Sequence, residues 1–433
     1  MSRFRTSMIA AIVFCMAGPG ARAADLVTVV QQALGHDADL AQARAAFVAA
    51  KEAVPQARAA LLPQLSGGWG RTYNSIEMQG LPRQSYWQNG WTVSLTQPVF
   101  DWTRWTTYRQ ADYVEARGAV DVDGTQQAAL LRAVRAYFDE LAAEDEVERA
   151  ADYAAAVDAH IQVLQRNRAA GEATVVDVSE ALTTREQVTL QQTDAQNALR
   201  TKRRALEQTT GAPFEMLARL PDALALPRLA PEDADAWAAQ AKEHGYAVQQ
   251  KQLDWQIAKL DVSKAEGAHY PSVYATGSYT PAGAASGYSR PTTTTTGMLS
   301  ISIPLYAGGA MQSKVRETEA LLDKSHEALV GAARAADGSA RDNYARYQQG
   351  RVRVDMLTHL VASCRETLAA TRVGYRVGTR TSTDVLRAID TLYAMQRDLF
   401  AARYDTIVAL MQLKGDTSTL GFTDVVQINA VLH

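Results

Sequence analysis

Two matching stretches each place a carboxylate three residues after a threonine: Gly171-Glu-Ala-Thr-Val-Val-Asp177 and Gly378-Thr-Arg-Thr-Ser-Thr-Asp384. In each, the glycine suits the left-handed residue that ends an incoming helix. Thr174 with Asp177, and Thr381 with Asp384, have the Thr-x-x-acid spacing that starts the next helix through reciprocal hydrogen bonds. Each Asp is therefore expected to cap a helix and to fix a charge at the tip of a helical hairpin. The rest of the chain offers no reaction centre. His36, His160, His244, His269, His326 and His359 are scattered without metal-ligand spacing, and there is no nucleophile elbow or phosphate loop. Gly67-Gly-Trp-Gly70 lies in strand-like text rather than between a strand and a helix. The expectation is a protein that is not an enzyme and holds no metal or cofactor.

Long helices are needed to carry these turns, and the chain contains the set twice. Pro63 recurs as Pro271, Pro98 as Pro304, Gly171 as Gly378 and Asp177 as Asp384, at a common offset of about 207 positions. The repeated order is a helix stopped by proline, two short strands, a very long helix, a glycine turn and a shorter return helix. This sets two structural repeats, 24–228 and 229–433, after a signal peptide over 1–23. In that leader, Arg3 and Arg5 precede an apolar run, and Ala21-Arg22-Ala23 supplies a small-x-small cleavage site.

Removing Arg3, Arg5 and Arg22 makes the formal net charge of −3 more negative by three, which argues against nucleic-acid binding. Cys364 is then the single cysteine. It falls in the series Val354, Leu357, Val361, Cys364, Leu368, Thr371, Tyr375, whose alternating steps of three and four mark a packed helix face.

The long helices are expected over 102–170 and 310–377. Each has about 70 residues, or roughly 100 Å at about 1.5 Å per residue. Val134, Tyr137 and Leu141, then Ala154, Val157, Ile161 and Leu164, trace a coiled-coil seam. Gly118, Gly124, Gly331, Gly338 and Gly350 are candidate bends or breaks. The return helices cover only half the length of the long ones. Incoming helices over 27–62 and 231–270 cover the rest, stacked end to end with them.

Strands are expected over 65–73, 91–97, 272–279 and 297–305, with polar loops over 74–88 and 281–296. Leu299, Ile301, Ile303 and Leu305 alternate with Ser300 and Ser302, the period of two that suits a strand between lipid and a wet lumen. No mature segment is a hydrophobic 18-mer, so membrane insertion falls to strands. Four strands cannot close a barrel, because open edges are not tolerated in lipid. Several chains must therefore contribute, and two give eight strands while three give twelve. The fold class is α+β, an elongated protomer of coiled-coil helices with four strands for a shared barrel. A periplasmic coiled-coil structural or adaptor protein without a barrel is the alternative. It explains the helices but not the paired strands.

The stretch 373–393, with Val373-Gly-Tyr-Arg-Val-Gly-Thr-Arg-Thr-Ser-Thr-Asp384 at its start, closely resembles the periplasmic turn of the TolC family of outer-membrane efflux and type I secretion channels. Ser302-Ile-Pro-Leu-Tyr-Ala-Gly-Gly309 and Thr96-Gln-Pro-Val-Phe100 are similar to its strand-to-helix junctions. The resemblance implies a homotrimer with a 12-stranded barrel among outer-membrane lipid and a 12-helix tunnel across the periplasm. Its implied partners are a periplasmic adaptor (membrane fusion) protein and an inner-membrane pump or ABC transporter. It makes Gly171, Thr174, Gly378 and Thr379 part of the adaptor-docking turns. Asp177, Tyr375, Arg380, Asp384 and Arg387 become the periplasmic gate. Tyr375 and Arg380 match positions that hold the mouth closed, with partners expected near Asp177. Asp384 matches a constriction acid, whose carboxylate pKa a ring of like charges raises. Arg387 stands where close members carry a second acid, at i+3 from Asp384, so an ion pair and weak cation selectivity are expected. Val176 replaces a polar family residue and removes one partner of Arg380.

Overall fold

The computed structural model describes residues 23–433 apart from 78, 81, 222–225, 282–292, 431 and 433. The signal segment up to residue 22 and most of the second hairpin loop lie outside the described residues. In chain order the elements are α1 (Leu26–His36), α2 (Ala38–Lys51), α3 (Ala53–Ala59), β1 (Gln64–Ile76), β2 (Gln84–Phe100), α4 (Trp102–Ala169) and α5 (Val175–Thr210). Then come α6 (Ala234–His244), α7 (Tyr246–Gly267), β3 (Ser272–Thr280), β4 (Thr294–Ser302), α8 (Ala310–Arg376), α9 (Ser382–Asp416) and α10 (Phe422–Asn429).

The long and return helices follow the expected ranges closely. The seam residues Val134, Tyr137, Leu141, Ala154, Val157, Ile161 and Leu164 are all buried. Cys364 is half-buried against the core that α4, α5, α8 and α9 share. The glycines do not break these helices. At Gly118 an added Cβ would come within 3.1 Å of Ala50 and 3.2 Å of Phe47, and at Gly350 it would collide with Thr406. Glycine there lets neighbouring helices approach closely.

The incoming helices are not continuous. At Asp37 the backbone leaves helical space (φ −64°, ψ 115°), and its carboxylate accepts the Leu40 N–H at 2.8 Å and pairs with Arg132 at 2.6 Å. Asp favours such a cap because its oxygen replaces a missing backbone partner. The chain turns again at Glu52 and at Gly245, where a Cβ would meet the Ala241 carbonyl oxygen.

The four strands form one antiparallel sheet in the order β1-β2-β3-β4. The first hairpin is longer than expected. Most of the loop placed over 74–88 is strand, because Tyr73 packs on Trp87 (centroids 5.2 Å apart) and Ser85 donates to Ser75 at 3.3 Å. β4 is shifted three residues towards the N-terminus: it starts at Thr294 and ends at Ser302, so Ile303 and Leu305 lie past it, beside the donor-lacking Pro304.

Register gives the sheet two different faces. Leu65, Trp69, Trp91, Val93, Leu95, Val273, Ala275, Tyr279, Leu299 and Ile301 share one. Ser66, Thr72, Thr92, Ser94, Thr96, Thr276, Ser278, Thr296, Ser300 and Ser302 share the other. Apolar-out and polar-in is the pattern of a membrane barrel wall. No described helix is long and apolar enough to cross a membrane.

Candidate functional site

At the far end of the long helices, the two hairpin turns use the same local chemistry. Gly171 and Gly378 adopt φ of 82° and 77°, the left-handed conformation glycine takes without Cβ strain. The Glu172 N–H reaches the Asn167 carbonyl at 2.8 Å, and the Thr379 N–H reaches that of Gly374 at 2.8 Å. These bonds close the helix ends. Thr174 and Thr381 then start the return helices as complete capping boxes. The Asp177 carboxylate accepts from the Thr174 N–H at 2.9 Å, and that of Asp384 from the Thr381 N–H at 3.0 Å.

These hydrogen bonds set the charge of the tips. Those from the Thr174 side chain and backbone hold Asp177 below the usual carboxylate range. Asp384 is lowered by the Thr381 bonds first and by Arg380 and Arg387 second. Within one protomer the shift at Asp384 is thus opposite to the rise expected for a ring of three. Arg387 acts on Asp384 at a distance. Among the described residues the two make no ion pair within 4.0 Å, so the expected i, i+3 pair does not form.

The second turn is tied to α4. The Tyr375 hydroxyl accepts from the Asn167 side chain at 3.4 Å, and its ring meets His160 edge-on, with centroids 5.5 Å apart. His160 is buried and shares a hydrogen bond with Ser382 at 3.0 Å. Burial lowers its pKa, with Arg372 acting in the same direction. Further along α9, the Tyr153 hydroxyl donates to Asp390 at 3.1 Å, and Tyr153 stacks on Tyr393 at 5.0 Å. The stem of Arg380 lies against Gly374, where an added Cβ would come 2.8 Å from Arg380 Cγ.

Within the chain, then, the structure brings Tyr375 to Asn167 and His160 rather than to Asp177. Asp177 feels His160 only through space. The two return helices meet near the turns through Thr383, whose hydroxyl donates to Glu180 at 2.9 Å. Gly171, Thr174, Gly378 and Thr379 are exposed. His160, Asn167, Glu180 and Ser382 are the residues that sequence reasoning missed. Only His160 left a signal, since it sits beside Ile161 on the α4 seam.

The family model described as "Outer membrane efflux protein" matches residues 29–212 and 237–415. The chain belongs to this family. It is 28% identical over 420 residues to the outer membrane protein TolC of Vibrio cholerae, covering 95% of this chain and 94% of that protein. It is 25% identical to the proteases secretion protein PrtF of Dickeya chrysanthemi, covering 98% and 95%. Among solved structures, the outer-membrane channel OprN superposes with a TM-score of 0.81 at 16% identity, covering 92% of this chain and 90% of that one. The Campylobacter jejuni CmeC outer membrane channel gives 0.81 at 14% identity, covering 94% and 89%. This outer membrane efflux protein is an exit duct of the outer membrane rather than an enzyme, and its helices extend into the periplasm. A barrel-free adaptor does not account for its sheet.

Proposed function

We propose that three copies form a passive trans-periplasmic duct for efflux or type I secretion, closed at its periplasmic end by the two capped turns. The observation that carries this reading is the sheet. Its outer face is apolar, and the outer edges of β1 and β4 pair with no further strand among the described residues. An unpaired edge in lipid costs several kcal/mol for each backbone group left without a hydrogen bond, so other copies must cover it. Three protomers give twelve strands, which leave a passage. The helical wall has matching open sides. Leu182 and Leu190 are exposed on α5, and Val352, Met356 and Leu360 on α8.

In this assembly Leu299 and Ile301, with Ile303 and Leu305 just past the strand, face outer-membrane lipid. The repeats 24–228 and 229–433 are successive wall segments. Gly171, Thr174, Gly378 and Thr379 present the docking surface for a periplasmic adaptor, which joins the duct to an inner-membrane pump or ABC transporter. Asp177, Tyr375, Arg380, Asp384 and Arg387 form the gate. The secretion reading follows PrtF and AprF, relatives named for protease secretion. The test is the mass of the particle extracted in detergent. Three protomers support the reading, and a monomer or a species released without detergent overturns it.

A further inference from the structure

The apolar face of the sheet changes character towards the end where β1 stops at Ile76 and β2 starts at Gln84. One register pair beyond Trp69 and Trp91 on that face stands Arg71, exposed and opposite Asn89. Its guanidinium carbon lies 4.4 Å from the centroid of the Trp87 ring. Tyr73 and Ser75 follow on the same face, and Arg83, just before β2, donates from Nε to the Ser75 hydroxyl at 2.8 Å. Two guanidinium groups therefore stand on the lipid side of the sheet, with the Tyr73–Trp87 pair between the levels of Arg71 and Ser75. Among the described residues, neither has a carboxylate within 4.0 Å.

Their height matters. The helices join the sheet at the Gln64 and Phe100 ends, so the opposite end, where β1 stops at Ile76 and β2 starts at Gln84, is the external end. From the level of Phe100, Val273 and Ile301 to that of Arg71 is about eleven residues of β2. At about 3.4 Å each and a tilt near 40°, this is roughly 28 Å along the barrel axis. A barrel's apolar band is about 25 Å tall. Arg71 thus stands just beyond the band, among the polar headgroups of the outer leaflet. Stacking on an aromatic face holds a guanidinium in place and leaves its planar donor fork available, and that fork matches phosphate oxygens.

We propose that Arg71 and Arg83, beside the Tyr73–Trp87 pair, seat the phosphate of a lipid in the outer leaflet of the outer membrane. The seat lies within one protomer and depends on the apolar face meeting lipid. It does not depend on the number of protomers. Two guanidinium forks within one hairpin would hold a single lipid at each β1–β2 hairpin and anchor the external end of the sheet.

The test uses the assembled full-length protein reconstituted in phosphate-free digalactosyl diacylglycerol vesicles containing either lipid A, which carries phosphomonoesters, or the same lipid stripped of phosphate. After re-extraction in a neutral detergent, native mass spectrometry counts the lipid retained and gives the oligomer mass in the same spectrum. The parent is expected to retain lipid A on the order of tenfold better than the dephosphorylated lipid, and Arg71→Gln with Arg83→Gln is expected to erase that preference. Trp87→Leu, which removes the stacking platform and leaves both charges, is expected to weaken retention severalfold, and it serves if the double variant does not assemble. Equal retention of lipid A by the parent and by assembled variants, or no preference for the phosphorylated lipid in the parent, overturns the proposal. An unchanged oligomer mass in that outcome separates failure of the seat from failure of the duct reading.

Discussion

The α4–α5 and α8–α9 hairpins begin their return helices in the same way and are held in different ways. Both have a left-handed glycine, a Thr cap and a reciprocal Asp. Yet α9 runs between α8 and α4 and buries Val385, Leu386, Ile389 and Leu392 within its first three turns. Over the matching stretch, 175–185, α5 buries only Val178 and Ala181, and leaves Val175, Val176 and Leu182 exposed. Local sequence therefore builds the turn, while position in the wall decides what the turn does. The second hairpin is latched to its own chain through Tyr375, His160 and Ser382. The first presents an open side that another copy is proposed to cover.

The largest expected difference between the hairpins is in packing. Ile389 is fully buried, so Ile389→Ala should destabilise the protomer by about 2–5 kcal/mol, the range for large-to-small core changes. Leu190, 63% exposed in the protomer, should tolerate alanine in the folded chain and weaken only the assembly. Denaturation midpoints and oligomer yield separate the two. Equal loss of protomer stability would break the comparison.

The caps should matter less and more evenly. Thr174→Ala and Thr381→Ala should each cost about 0.5–2 kcal/mol of local helix stability, read by amide exchange in the first turn of α5 and α9. Only Thr381→Ala should also loosen Tyr375, because fraying the start of α9 moves Ser382 away from His160.

Acidity should distinguish the hairpins as well. Burial holds the His160 pKa below its ordinary value of 6.5. Undocked, the ring takes up a proton that the docked ring resists. Docking of α9 on α4 is therefore strongest above about pH 6.5 and weakens as pH falls below it, by at most about 1.4 kcal/mol per pH unit. Amide protection around Gly378, corrected for the intrinsic exchange rate, should fall as pH drops below about 6.5, and His160→Asn should abolish that change. The first turn carries no such group. Asp177 is held low by its cap and stays ionised over this window.

A smaller effect is expected at the tip of α9. With Arg387 lowering the Asp384 pKa through space rather than closing an ion pair on it, the parent channel should be weakly cation-selective. Arg387→Asp should make it strongly cation-selective, and Asp384→Asn should shift it towards anions. Reversal potentials across a salt gradient measure both. A parent already strongly selective, and unmoved by Arg387→Asp, would place Arg387 away from the lumen.

Much of this is legible in the sequence because it is periodic or local. The α4 seam from Val134 to Leu164 and the Thr-x-x-Asp caps rest on spacing alone, and both are where the sequence puts them. The breaks in the incoming helices are hidden. Asp37 looks like an ordinary polar residue until Arg132, about a hundred residues away, holds it. The helix glycines mislead for a related reason: Gly118 and Gly350 answer to Phe47 and Thr406 on other helices, not to a bend in their own. The first hairpin reads too short because Ser75, Ser85 and Trp87 declare a strand only once they pair. The latch partners Asn167 and Ser382 carry no sequence mark, because each matters only through a residue more than two hundred positions away.

Closure should depend more on the second turn, which Tyr375 and Ser382 tie to α4, than on the first. Single-channel conductance in planar bilayers tests it most directly, with Tyr375→Phe plus Arg380→Ser compared against Val176→Ser in the first turn. The double variant should conduct more than the parent in the resting state, while Val176→Ser matches the parent. A double variant indistinguishable from the parent, or an equal rise from Val176→Ser, would contradict it.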